Sequence, residues 1–202
     1  MQRTPSSPYE GSAHLFALLL KIALNIFLIV YLVQAAAVFL EYTPGQHWPF
    51  LFWLIRNSIF LFIHEGGHFL FMFFGRVLYA FGGSFWQIMF PFISFLIGVR
   101  KRSFVVAPFA LFWTGVNMMD VSLYMRDAPL MVLPLLGGHK SGHDWHYLFG
   151  QCELLDSAGD IADVMYYGGL LIAAGSIIAG LIFAVRRYLH PVELLMKEDW
   201  EE

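Results

Sequence analysis

The most chemically informative residues are the two histidines and the glutamate of the sequence His64-Glu65-Gly66-Gly67-His68. On an α-helix, side chains four residues apart share one face, so His64 and His68 present both imidazoles to a single point. Glu65, between them, can reach a water molecule bound at that point. A catalytic zinc site combines three protein ligands with one open position, and imidazole is a common ligand. The spacing therefore predicts a Zn²⁺ site with His64 and His68 as ligands and Glu65 as the general base.

A third zinc ligand must come from elsewhere in the chain, and it must be His, Asp or Glu because Cys152 is the only cysteine. Asp120 is the leading candidate. It lies about as far along its apolar stretch as His64 lies along an earlier stretch of the same direction, so both reach a similar depth at about 1.5 Å per residue. Asn117, on the same helix face, is predicted to orient a ligand or the substrate backbone.

The segment His143-Asp144-Trp145-His146 contains further candidate ligands. One interpretation makes His143, Asp144 and His146 an additional metal-facing group or a lid over the site. The other makes the segment the start of an amphipathic helix at the membrane interface, capped by Ser141 and anchored among the headgroups by Trp145. The sequence leaves both interpretations open.

The motif also has a purely structural interpretation. His64 and His68 would then be core histidines bonded to nearby carbonyl or hydroxyl groups. Glu65 would pair with Arg56 or Arg76 across a helix bundle. The two glycines of the motif would allow close helix packing under either interpretation.

The composition identifies the surroundings of the motif as a lipid bilayer. Of 202 residues, 58% are hydrophobic and 13% are charged, whereas an average soluble domain is about a quarter charged. Residues 60–63 and 69–72, on either side of the motif, are wholly apolar. A net charge of −3 without a long basic run excludes nucleic acid as a partner. We therefore predict an integral membrane protein whose partners are membrane lipids.

The apolar stretches predict an all-α polytopic bundle with about five spans. The transmembrane domain covers residues 13–186, after a leader at residues 1–12 and before a tail at residues 187–202. The predicted spans are residues 13–40, 48–74, 77–99, 104–125 and 164–185. Glycines and a proline make a broken or re-entrant third span an alternative. The loop of residues 126–163 is predicted to contain the amphipathic interfacial helix.

The basic residues predict an orientation in the membrane. Arg100-Lys101-Arg102 follows the third span and Arg186-Arg187 follows the fifth, so with five spans both groups lie on one side. The positive-inside rule makes that side cytoplasmic. This places the amino terminus and the loop of residues 126–163 outside and the carboxyl terminus inside, with the cell (inner) membrane as the predicted location.

An HExxH motif inside a membrane span, followed two spans later by an intramembrane aspartate, resembles the site-2 protease family of intramembrane zinc metallopeptidases. The resemblance covers about residues 59–125. It implies that His64, His68 and Asp120 bind zinc and that Glu65 is the acid/base. It also implies that the substrate is a single transmembrane helix of another protein. In that family the aspartate usually lies in a Leu-Asp-Gly context rich in Asn and Pro, whereas Asp120 is followed by Val121.

Motif and resemblance together predict an intramembrane zinc metallopeptidase that hydrolyses a peptide bond in or near the bilayer. A first alternative is a non-catalytic polytopic membrane protein that uses the site for metal binding or packing. A second is a membrane metallohydrolase of a lipid or small molecule. Replacing Glu65 with Gln separates the enzymes from the non-catalytic protein, since an enzyme should keep its zinc and lose turnover.

Overall fold

The computed structural model describes residues 8–40, 47–133 and 142–189. Within these ranges every regular element is helical, which confirms the predicted all-α bundle. The main helices are α1 (Pro8–Leu40), α2 (Phe50–Ile55), α3 (Leu61–Phe71), α4 (Arg76–Arg100), α5 (Val106–Arg126), α6 (Asp144–Gln151) and α7 (Ala158–Leu189). Of the predicted leader and tail, residues 1–7 and 190–202 lie outside the described part, and α1 begins inside the predicted leader.

Four of these helices, α1, α4, α5 and α7, are long and apolar enough to cross a membrane. The chain is therefore an integral membrane protein, as predicted. Helices suit this setting because they satisfy every backbone polar group within one segment. α5 is the most buried of the four. Its glycine Gly115 meets Gly169 of α7 so closely that a Cβ on either would overlap the other helix.

The predicted second span, residues 48–74, is a segmented helix. A π-helical turn at Arg56–Phe60 separates α2 from α3, and a 3₁₀ turn at Met72–Phe74 follows. The Phe52 ring lies 6.1 Å from that of Tyr31, and Tyr31 itself is about 14 Å from the end of α1 at 1.5 Å per residue. α2 therefore begins beside α1, next to Tyr31. The described chain has four helices that qualify as spans by length and composition, and the predicted second span is a segmented helix over residues 50–74.

α1 and α7 lie side by side and run in opposite directions. A Cβ on Gly180, late in α7, would lie 3.2 Å from Asn25 Oδ1, near the middle of α1. The Phe39 ring, late in α1, stacks on Tyr166, early in α7, with centroids 3.7 Å apart. α1 thus begins at the end of the bundle where α7 finishes. This differs from the predicted placement of the two chain ends on opposite sides, because α1 and α3, in the predicted first and second spans, run in the same direction.

A tight hairpin joins α3 to α4. Its turn contains Gly75 with φ 89° and ψ 167°, a conformation open essentially only to glycine. The hairpin makes α3 and α4 antiparallel and brings Gly67 against Gly82 and Gly83, where a Cβ on Gly67 would overlap α4. α4 itself is one continuous helix through Gly82, Gly83 and Pro91, so the broken third span is not formed.

α6 is the predicted helix of the loop before the last long helix, but it packs into the bundle. Trp145 is 8% exposed, and its indole N–H donates to Ser84 Oγ of α4 at 3.0 Å. The N-cap is His143, whose Nδ1 accepts from the His146 N–H at 3.1 Å. Ser141, the predicted cap, lies outside the described residues. Trp145 is therefore a packing residue that joins α6 to α4.

Candidate metal centre

Three electron-pair donors converge between α3 and α6. His64 Nε2 and His68 Nε2 are 3.1 Å apart. Asp144 Oδ2 lies 3.2 Å from each of them. All three residues are buried. The α-helix of residues 61–71 supplies both histidines from one face, as the four-residue spacing predicts, and the first residue of α6 supplies the carboxylate.

The dimensions of this triangle fit a zinc ion. Donors about 2.0–2.1 Å from a tetrahedral zinc are about 3.3–3.4 Å from one another. The observed edges of 3.1–3.2 Å differ from that by a few tenths of an ångström. Two imidazoles and one carboxylate also form a familiar ligand set for catalytic zinc, in which the fourth position stays open.

Both imidazoles are oriented by acceptors behind them. His68 Nδ1 lies 2.8 Å from the backbone carbonyl oxygen of Tyr79. His64 Nδ1 lies 3.1 Å from Gln87 Oε1. An acceptor at Nδ1 places the ring proton there and leaves the Nε2 lone pair free for a metal, which is the usual arrangement around ligating histidines. Each histidine therefore turns its unprotonated nitrogen toward Asp144.

Asp144 is fixed at the start of α6 by residues around it. Its backbone N–H donates to Tyr124 Oη at 3.0 Å. The preceding residue, His143, is buried and bonds through Nε2 to Asp127 Oδ2 at 3.2 Å. The Tyr124 and His143 contacts therefore hold Asp144 at the point where α6 meets α3.

Asp120, the predicted third ligand, lies at the predicted depth but faces other partners. Its Oδ1 accepts from Arg56 Nε at 2.7 Å, and its Oδ2 accepts from Gln87 Nε2 at 2.8 Å. Asp144, not Asp120, completes the group with His64 and His68. Asp120 is connected to the site through Gln87, because the Gln87 side-chain oxygen faces His64 Nδ1.

The remaining predicted site residues lie around the centre and not in it. His143 caps α6 and bonds Asp127. His146 Nδ1 lies 2.9 Å from the backbone carbonyl oxygen of Ala128, so it anchors α6 to the end of α5. Asn117 donates to the backbone carbonyl of Trp113 at 2.7 Å within α5 and is absent from the cavity wall described below. Of the three loop candidates, Asp144 alone faces the histidines.

A cleft of about 290 Å³ opens beside the three donors. Glu65 lines it and is exposed, so its carboxylate can reach water held there. Within the described chain, Arg56 pairs with Asp120 and the Arg76 guanidinium lies over the Tyr147 ring at 4.3 Å. The alternative pairing of Glu65 with Arg56 or Arg76 is not formed among the described residues. Glu65 therefore lies beside the cleft that adjoins the three donors.

Gly83 of α4 makes room for the imidazoles. A Cβ at this position would lie 2.6 Å from His64 Nε2 and 2.7 Å from His68 Nε2. Any larger residue would push both rings away from their meeting point. In the motif itself, Gly67 serves close packing on α4, whereas a Cβ on Gly66 would meet nothing within 4 Å.

Sequence reasoning missed Gln87, Tyr124 and Gly83. Gln87 is a polar residue in an apolar span, and that alone marks it as a candidate functional residue. Tyr124 and Gly83 carry no comparable signal, because an interfacial tyrosine and a helical glycine are both common in membrane helices.

Comparisons with models of protein families, with curated proteins and with solved structures give no match. The site-2 protease resemblance thus rests on the motif and its setting. The candidate function rests on the geometry of this centre.

Proposed function

We propose that this protein is a membrane-embedded zinc metallopeptidase in which His64, His68 and Asp144 bind the metal and Glu65 is the general base. The observation that carries this proposal is the triangle of three donors with edges of 3.1–3.2 Å beside a cleft lined by Glu65. It retains the motif-based prediction and transfers the third ligand from Asp120 to Asp144.

A metal ion accounts for the triangle better than a proton does. Because both Nδ1 atoms face carbonyl oxygens, the two Nε2 atoms and the Asp144 oxygen all present lone pairs to one another. A proton on one Nε2 atom could form a hydrogen bond to Asp144. The lone pair of the other Nε2 atom would still face the Asp144 oxygen without a proton between them. A divalent cation accepts all three at once, and buried charges of this kind are normally paired or metal-bound.

In peptide hydrolysis, Glu65 would transfer the proton and the three ligands would hold the metal. Zinc held by His64, His68 and Asp144 would supply a Lewis acid and would lower the pKa of a bound water to about 7. Glu65 accepts a proton from the attacking water as the carbon–oxygen bond forms. It then donates that proton to the leaving nitrogen as the carbon–nitrogen bond breaks. His64 and His68 hold their orientation throughout through their Nδ1 partners.

The position of the cleft favours a substrate that approaches from the bilayer. α3 and α5 both line the cleft, and α3 contributes His64, Glu65 and His68 to it. The opposite face of α3 carries large exposed apolar side chains, such as Phe62 and Phe69, suited to lipid. The Gly83 contact with the imidazoles lies about 10 Å along α4 from its first residue, at 1.5 Å per residue. The apolar end of a transmembrane helix is therefore the proposed substrate.

Replacing Glu65 with Gln should leave zinc bound and reduce hydrolysis by about 10²- to 10⁴-fold, the usual contribution of a general base. Proteoliposomes containing the protein would be incubated with a library of synthetic single-span helices. New peptide termini would be identified by mass spectrometry, and zinc would be measured in the same samples.

Glu153→Gln is the matched control, because Glu153 is an exposed glutamate after α6 and away from the cleft. It should cleave like the wild type. Equal cleavage by Glu65→Gln would remove Glu65 from the mechanism. A zinc-loaded wild type that releases no termini would favour the non-catalytic alternative, and release of fatty acid from the vesicles would favour the lipid hydrolase.

We also propose that the metal centre faces the outer side of a cell membrane. The rings of Phe104 and Phe183 pack 4.9 Å apart and place the basic residues 100–102 and 186–187 at one end of the bundle. Lys21 shares a small cavity with Arg187 at that end. By the positive-inside rule this end is cytoplasmic. The revised orientation puts the start of α1 inside and α6 outside.

Cys152 offers a natural test of this orientation, because it is the only cysteine, is exposed and follows α6. A membrane-impermeant maleimide should label it in spheroplasts of a bacterial expression host. In a Cys152→Ala background, Lys101→Cys at the basic end should become labelled only after lysis. Labelling in the reverse order would invert the orientation.

A further inference from the structure

A chain of hydrogen bonds connects Arg56 to His64 through the side chains of Asp120 and Gln87. Arg56 Nε donates to Asp120 Oδ1 at 2.7 Å. Gln87 Nε2 donates to Asp120 Oδ2 at 2.8 Å, and Gln87 Oε1 lies 3.1 Å from His64 Nδ1. The four residues belong to the π-helical turn, α5, α4 and α3. The chain of bonds therefore ties the metal-facing helix to the centre of the bundle.

We propose that Asp120 and Gln87 are positioning residues that set the tautomer of His64, and so choose the nitrogen that His64 presents to the metal. The inference rests on the proposed metal centre, and it assigns the intramembrane aspartate a role other than ligation. It also gives a function to an ion pair that is otherwise costly in a membrane.

The direction of each bond follows from the donors and acceptors available. Arg56 is only a donor, and an ionised carboxylate is only an acceptor, so Asp120 accepts at both oxygens. Gln87 must then turn its NH₂ group toward Asp120 and its oxygen toward His64. An oxygen facing His64 Nδ1 requires a proton there and leaves Nε2 unprotonated. The carboxylate thus determines the state of an imidazole that it does not touch.

Burial protects this arrangement from water. Gln87 is 2% exposed and Asp120 is 6% exposed, so solvent cannot readily replace either bond. An unpaired polar atom at this depth would cost much more than at the surface. His68 needs no such chain, because the Tyr79 backbone carbonyl sets its tautomer directly at 2.8 Å. His68 is therefore an internal reference for His64.

Asp120→Asn tests the proposal with almost no change in shape. The new amide would offer its oxygen to Arg56 and its NH₂ to Gln87, so the Gln87 amide should turn and present its own NH₂ to His64. His64 should then carry its proton on Nε2, while His68 stays unchanged. The measurement is ¹⁵N NMR of histidine-labelled, metal-free protein in detergent, with the His64 signals assigned by comparison with His64→Asn. Zinc affinity should fall by about 10- to 100-fold, as for other residues that orient a ligand.

The double variant Asp120→Asn, Gln87→Glu is the rescue. It keeps the charge and all three hydrogen bonds, with the carboxylate moved one residue closer to His64, so the Nδ1–H tautomer and the zinc affinity should return. If Asp120→Asn does not fold, Gln87→Met removes the acceptor and should give His64 a mixture of tautomers. Retention of the Nδ1–H tautomer in Asp120→Asn, or failure of the double variant to restore it, would overturn the proposal.

These readouts separate this proposal from the proposed function. Reversal of the His64 tautomer in a protein that binds no zinc would support the positioning role and refute the metallopeptidase. If the protein binds zinc but His64 keeps its Nδ1–H tautomer in Asp120→Asn, the positioning role would be refuted and the proposed metal centre would be retained.

Discussion

Asp144→Ala is expected to lose stoichiometric zinc, with affinity lowered by more than about 100-fold. Asp144 supplies one of the three protein donors that meet within the described residues, so its loss should exceed the 10- to 100-fold effect typical of residues that merely orient a ligand. Zinc content would be measured by elemental analysis of purified protein, and affinity by competition with a chromophoric chelator.

Asp156→Ala is the matched control for this variant, because Asp156 is an exposed aspartate in the same connection between α5 and α7. It should bind one zinc per chain with wild-type affinity. The zinc affinity of Asp120→Ala should lie between those of Asp144→Ala and Asp156→Ala, since Asp120 acts through Gln87. If Asp120→Ala lost all zinc while Asp144→Ala retained it, the original prediction from the sequence would be restored and the role of Asp144 would be refuted.

The second large effect is expected for Gly83→Ala, which should abolish zinc binding without unfolding the protein. The added Cβ would lie 2.6–2.7 Å from both Nε2 atoms and would force the rings apart. Alanine is a better helix former than glycine by about 0.5–1 kcal/mol, so the helix itself gains stability. Zinc content and thermal unfolding would be measured together.

The same substitution at two other glycines provides the controls for Gly83→Ala. Gly66→Ala meets open space, so it should keep zinc and share the gain in helix stability. Gly67→Ala would overlap Gly83 Cα and Trp86 Cβ at 2.8 Å, so it should lower the unfolding temperature as well as zinc content. Full zinc occupancy in Gly83→Ala would show that the imidazoles do not meet where the structure places them.

The proposed ligands link α6 to the rest of the helix bundle. Two ligands belong to α3, whereas the third begins α6, which the Trp145 and His146 side chains also join to the rest of the bundle. Metal binding should therefore stabilise the docking of α6, since a ligand that binds one conformation shifts the equilibrium toward it. The Asp127–His143 bond at 3.2 Å pre-forms the start of α6 for that contact.

The sequence alone was enough to predict the local part of the site. His64, Glu65 and His68 lie close together on one helix, and the periodicity of the α-helix dictates that the histidines share a face. Apolar composition was likewise enough to predict an all-α membrane bundle, because a backbone in lipid must satisfy its own hydrogen bonds. Both inferences depend on geometry that repeats every few residues.

The tertiary structure decided which aspartate joins the histidines. Depth brought Asp120 to the right level, but depth does not determine the direction in which a side chain points. Arg56 and Gln87 occupy both Asp120 oxygens. Asp144 comes from a segment 80 residues after His64, and no local pattern reports that α6 folds back over α3.

The tertiary structure also decided the path of the chain through the bundle. Residues 48–74 are apolar enough to predict a span, but the helix there contains a π-helical turn and runs in the same direction as α1. Hydropathy measures how long and how apolar a segment is, whereas its direction relative to other helices depends on the helices against which it packs. The direction of α1, the position of α6 and the identity of the third ligand all depend on such long-range packing, which is why the structure was needed to determine them.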